Sequence, residues 1–77
     1  IDPTNPIAWK NKGEALNYMG RYEEAVSAYD RAVELSPELG LLKASSWQGK
    51  GDALKASGRQ VEAAAAFAKA KELGYKA

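Results

Sequence analysis

The side chains best able to do chemistry in this sequence are carboxylates. Glu23 and Glu24 are adjacent, and Asp30 and Glu34 lie four positions apart. Paired carboxylates perform acid/base work when burial holds one of them protonated. Helical spacing instead sets Glu23, Glu24 and Asp30 on an outer face beside Arg31, where little raises a pKa. Trp9 and Trp47 are large enough to stack a nucleobase. "GKGD", residues 49–52, has the flavour of a phosphate loop but is too short and falls within helical patterning. The 77 residues include no Cys and no His. That removes thiol nucleophiles, disulfides, imidazole catalysis and the usual zinc sites together. No catalytic residue, metal ligand or cofactor is expected, and the chain is read as a non-enzyme.

Charge narrows the partners. Lys and Arg number 11 and Asp and Glu 10, a net charge of +1, which gives no electrostatic case for nucleic acid or an anionic membrane. The longest apolar run, Ala63 to Ala68, is too short to span a bilayer. No signal peptide is visible, so a cytoplasmic location is expected. The start at Ile1, without Met, suggests a piece of a longer protein. A chain of this size supports one domain with a thin core, burying only ~60–65% of its unfolded surface.

The two tryptophans belong to a doubled stretch. "WKNKGEALNYMGR" begins at Trp9 and "WQGKGDALKASGR" at Trp47, a shift of 38 residues. The same shift carries Ala25 to Ala63, Tyr29 to Phe67, Ala32 to Ala70 and Leu35 to Leu73. Within each copy, apolar residues recur at three and four, the helical period. Asn5 and Pro6 read as N-cap and first helical residue, and Gly20 and Gly58 as left-handed stops. The spacing predicts helices over about 6–19, 22–35, 45–57 and 60–73, with Gly74 as a final cap and Tyr75 folding back onto the last turn. Nothing alternates as a strand does. Gly13 and Gly51 each cost ~1 kcal/mol inside a helix. Their repetition implies a close backbone contact, with Ala25, Ala32, Ala63 and Ala70 on the facing helix.

These residues resemble the tetratricopeptide repeat, whose helical hairpins recur about every 34 residues. Trp9, Gly13, Leu16, Gly20, Tyr22, Ala25, Tyr29, Ala32 and Pro37 fall on family positions in the first copy. Trp47, Gly51, Leu54, Gly58, Ala63, Phe67 and Ala70 do so in the second. The opening "IDPTN" is similar to the close of a preceding repeat. The resemblance implies an all-α fold, an α-α superhelix of two hairpins and four helices. Residues 1–77 are then one domain: repeat one at 6–39, an insert at 40–43 and repeat two at 44–77. Three departures stand out. Lys12 and Lys50 replace a consensus leucine, the period is 38, and the extra residues fall within "PELGLLKAS". In the last helix Val26, Val33 and Tyr22 are answered by Ala64, Lys71 and Gln60, the wording of a terminal repeat with no further repeat to cover it.

The resemblance further implies an interaction scaffold that binds a peptide or protein along a groove lined by the first helix of each hairpin. Carried over by position, the groove candidates are Lys10, Asn11, Glu14, Asn17, Gln48, Asp52 and Lys55. The competing reading of these residues is a plain solvated face. The family's clamp for a C-terminal carboxylate needs Lys, then Asn four residues on, and Asn in the next repeat. Lys10 fits, whereas Glu14 and Gly49 do not, so that clamp is rejected. The alternative function is a structural end-piece that stacks or self-associates. Leu39, Leu41 and Leu42 of the insert are its candidates, forming a homodimer through the open face or by helix exchange. If Ser36 caps an extra helical turn opened by Pro37, Leu41 and Leu42 point away from the stripe that holds Trp47.

Overall fold

The computed structural model describes residues 4–36 and 41–74. Four helices follow in order: α1 Pro6–Tyr18, α2 Tyr22–Leu35, α3 Leu41–Ala56 and α4 Gln60–Glu72. There is no strand among the described residues. An N-cap sets the helix start at 6, and the closure of the preceding helix sets those at 22 and 60. Asn5 Oδ1 accepts from the Ile7 N–H at 2.9 Å, and Pro6 occupies the first turn. α1 ends at Gly20, φ +78°, where the Arg21 N–H donates to the Leu16 carbonyl at 2.9 Å and the Gly20 N–H to Asn17 at 3.1 Å. The second hairpin repeats this closure at Gly58, φ +90°, with the Arg59 N–H donating to Leu54 at 2.8 Å. Both are reciprocal bonds of the Schellman type. Each arginine then grips a glutamate in the helix it opens: Arg21 bonds Glu24, and Arg59 bonds Glu62. Gly74 also has positive φ, while Tyr75 lies outside the described residues.

The third helix departs from expectation. It begins at Leu41 instead of 45, so residues 41–44 are an added turn of α3. Ser36 closes α2: its hydroxyl donates to the Ala32 carbonyl at 2.7 Å and its N–H to Val33 at 3.2 Å. The expected opening at Pro37 and the position of Leu39 fall outside the described residues.

The core is built from alanine and a few large side chains. Leu16, Ala25, Ala28 and Tyr29 form one cluster, which Ala53 of α3 joins. Leu54, Ala63 and Ala66 form a second, with Trp47 and Phe67 packed on it. Val26 touches both, so α2 and α3 fuse the hairpins into one core. Small residues allow the helices to approach, and the aromatic rings fill what remains. A Cβ on Gly51 would sit 2.5 Å from the Phe67 ring, which explains a glycine in mid-helix. Lys12 and Lys50 have a use that periodicity does not reveal. Their ammonium groups lie 5.1 and 4.9 Å from the ring centroids of Trp9 and Trp47, and Arg31 adds a second cation over Trp9. Among the described residues, ion pairs of Lys50 with Asp30 and of Arg59 with Glu23, each at 2.7 Å, tie the hairpins together.

Candidate functional site

α1 and α3 both pack against α2, and between them they leave a groove of about 280 Å³. Helical period decides its walls. Lys10, Glu14, Asn17 and Tyr18 form one stripe along α1, and Ser45, Gln48, Gly49 and Asp52 form the facing stripe on α3. Tyr29 of α2 is the floor, 2% exposed. Its ring lies where Cβ atoms on Gly13 and Gly49 would stand, at 3.0 and 2.4 Å. A side chain at position 49 and the Tyr29 ring therefore compete for one space.

Of the seven groove candidates, Lys10, Glu14, Asn17, Gln48 and Asp52 line this cavity, whereas Asn11 and Lys55 are exposed outside its walls. The difference is geometric. Facing helices show each other opposite flanks, so α1 contributes its later positions and α3 its earlier ones. Taking equivalent positions from both copies adds one residue too many on each helix. Tyr18, Tyr29, Ser45 and Gly49 went unread as lining residues. The pairing of Tyr29 with two small residues, Gly13 and Gly49, was the available signal for the floor.

The electrostatics are uneven. Lys10 Nζ donates to Glu14 Oε2 at 2.9 Å, so the groove's ammonium is already engaged. Asp52 makes no ion pair among the described residues, and desolvation by the groove walls raises its pKa while Lys55 pulls it partly back. Tyr29 is pushed up to about 12 by burial, then by the negative charges of Glu14 and Asp52 and by Tyr18. The Asn17 Oδ1 is buried without a hydrogen-bond donor. Among the described residues the groove is lined by polar side chains, several of them acceptors, around an aromatic floor.

A second kind of hollow occurs twice. Trp9, Lys12, Leu16, Ala28 and Arg31 line one, and the residues 38 further on, Trp47, Lys50, Leu54, Ala66 and Lys69, line the other. No helix among the described residues is long and apolar enough to cross a membrane.

Stacked helical hairpins with equivalent contacts at a fixed shift define a helical-repeat protein. Residues 6–39, the first hairpin, match the model of the tetratricopeptide repeat. It is similar to small glutamine-rich tetratricopeptide repeat-containing protein 2 of Mycosarcoma maydis, 46% identical over 43 residues. Those residues are 56% of this chain and 12% of that protein, so the chain spans only a small part of its relative. No solved structure matches. Tetratricopeptide repeats are in general protein–protein interaction modules.

Proposed function

We propose that this chain is a non-catalytic binding module that holds an extended segment of a partner protein in the groove between α1 and α3. The observation that carries the reading is the groove itself: two helical stripes of polar side chains facing each other over the buried Tyr29 ring. Its volume, about 280 Å³, is at the lower limit of small-molecule sites, which run from ~300 to 1,000 Å³. An extended peptide needs no enclosed pocket, only a trough with side-chain niches and polar groups for its backbone. Lys10, Glu14, Asn17, Gln48 and Asp52 supply those groups, with Asn11 and Lys55 extending the polar surface beyond the walls. The test is selection of extended peptides from a displayed library, followed by amide shift mapping. Shifts concentrated on α1 and α3 support the groove; ligands that move only α4 or the outer face of α2 refute it.

A second reading is favoured by Leu41, which is 75% exposed on the added turn of α3. Such a leucine suits a contact with a second copy of the chain, giving a homodimer. Leu42, partly buried in its own chain, contributes less.

A further inference from the structure

We propose that the groove between α1 and α3 selects a basic segment of its partner, with an arginine side chain held between the carboxylates of Glu14 and Asp52 and the ring of Tyr18. The proposal rests on the groove being the binding site and names the chemistry of what enters it. Three observations favour a cation. Among the described residues the groove is lined by two carboxylates and one ammonium, and that ammonium is bonded to Glu14 at 2.9 Å. Asp52 has no ion pair among the described residues, while the groove walls strip part of its water. Lys55 offsets that only in part, and a partly desolvated carboxylate is stabilised by a further cation that reaches it. Tyr18, at the lip of the groove, is 91% exposed, so its ring is open to stacking.

Arginine fits these features better than lysine. Its planar fork can donate to a carboxylate through two parallel N–H groups while its face stacks on an aromatic ring. Asn17 adds a carbonyl oxygen with no donor, which a further N–H of the guanidinium satisfies after rotation of the amide. The whole chain carries a net charge of +1, so overall charge does not draw a basic peptide in. Attraction has to be local to the groove. An acidic segment meets the opposite situation: two like charges, and an ammonium it must take from Glu14.

The experiment uses the 77-residue chain and four labelled nonapeptides of glycine and serine, differing only at two central positions: Arg-Arg, Lys-Lys, Glu-Glu or citrulline-citrulline. Fluorescence anisotropy at low and moderate salt gives affinities, and amide shift mapping gives the location. The Arg-Arg peptide is expected to bind about tenfold or more tighter than the Glu-Glu and citrulline peptides, and tighter than Lys-Lys. Asp52→Asn should remove most of that preference and Tyr18→Ala should reduce the advantage of arginine over lysine, with helical content unchanged for both exposed sites. Equal affinities, or an arginine preference that Asp52→Asn leaves intact, overturn the proposal. If the neutral or acidic peptide shifts the α1 and α3 amides and the basic ones do not, the charge assignment fails and the groove stands. If no peptide from the set or from the library shifts them, the groove reading fails with it.

Discussion

The Tyr29 ring occupies the space that a side chain on Gly49 would need: an ideal Cβ there falls 2.4 Å from the ring edge. The contact joins α2 to α3, and so joins one hairpin to the next at the floor of the groove. It also explains why Gly49 cannot carry the asparagine that a carboxylate clamp asks of this position. A side chain at 49 would displace the floor.

Replacing Gly49 by Ala therefore destabilises the fold, although alanine gains ~1 kcal/mol of helix propensity over glycine. The ring is pinned by Gly13 on one side and Gly49 on the other and is 2% exposed, so it has nowhere to swing. Overpacking of this kind costs ~1–3 kcal/mol. The loss should exceed that of Gly13→Ala, where the ring stands off at 3.0 Å, and that of Gly51→Ala, where the neighbouring Phe67 is only partly buried and can shift. Urea unfolding of the three variants measures the order. A double variant with Tyr29→Leu should recover much of the Gly49→Ala loss, because the two substitutions share one cavity.

Tyr29 also sets a pH limit. Its phenol ionises near 10 in an unfolded chain and at about 12 here, because burial and the charges of Glu14 and Asp52 oppose a phenolate. A folded pKa raised above the unfolded one leaves stability whole below pH 10. It is lost between pH 10 and 12, as the unfolded chain ionises first. The loss approaches ~2–3 kcal/mol. Tyr29→Phe keeps the ring and removes the ionisation, so its stability should fall less steeply over that interval. Denaturant midpoints of both proteins from pH 8 to 12 give the comparison, and parallel curves would contradict the assignment.

Much of the fold can be read from sequence because it rests on local chemistry. Asn5 with Pro6, and Gly20 and Gly58 in left-handed positions, set helix ends wherever the rest of the chain lies. The start of α3 is different. Residues 41–43 align with positions that precede α1 in the first copy, so the alignment of copies drops them even though they continue the helix. The groove was half legible for a related reason. Which stripe of α1 faces which stripe of α3 depends on how α2 seats both, and that is a relation between hairpins that neither copy encodes alone. Lys12 and Lys50 are likewise opaque as charges at consensus apolar positions until the rings beneath them are seen.

Peptides ending in a free acidic carboxylate should bind no better than their amidated forms. Among the described residues Lys10 is the one ammonium in the groove walls and is bonded to Glu14, and the space at Gly49 belongs to Tyr29. Affinities within about twofold, under ~0.5 kcal/mol, are expected by calorimetric titration. Replacing Glu14 with asparagine frees Lys10 and removes the nearest repulsion, so that variant should gain a measurable preference for the free carboxylate. A strong preference in the native chain would mean that Lys10 leaves Glu14 readily, and the description of the groove would have to change.

The added turn of α3 gives the last prediction, a concentration-dependent homodimer. Leu41 is 75% exposed at its start, and burying a leucine is worth ~1.5–3 kcal/mol. Ile7, at 54% exposed near the start of α1, offers further apolar surface for such a contact. In a core made largely of alanine, a gain of that size is a substantial fraction of the total stability, typically only ~5–15 kcal/mol for a domain. Two arrangements satisfy the leucine: docking of α3 against a second copy, or exchange of a whole hairpin between copies. Sedimentation equilibrium from micromolar to millimolar protein distinguishes association from none, and Leu41→Ser should weaken a docked dimer by about tenfold or more. The variant should keep its helical content, since the side chain contributes little within its own chain. An exchanged dimer should instead persist in Leu41→Ser and interconvert slowly with monomer, because hairpins must open first. A native chain that stays monomeric across the whole range refutes both forms and leaves binding in the groove as the one proposal standing.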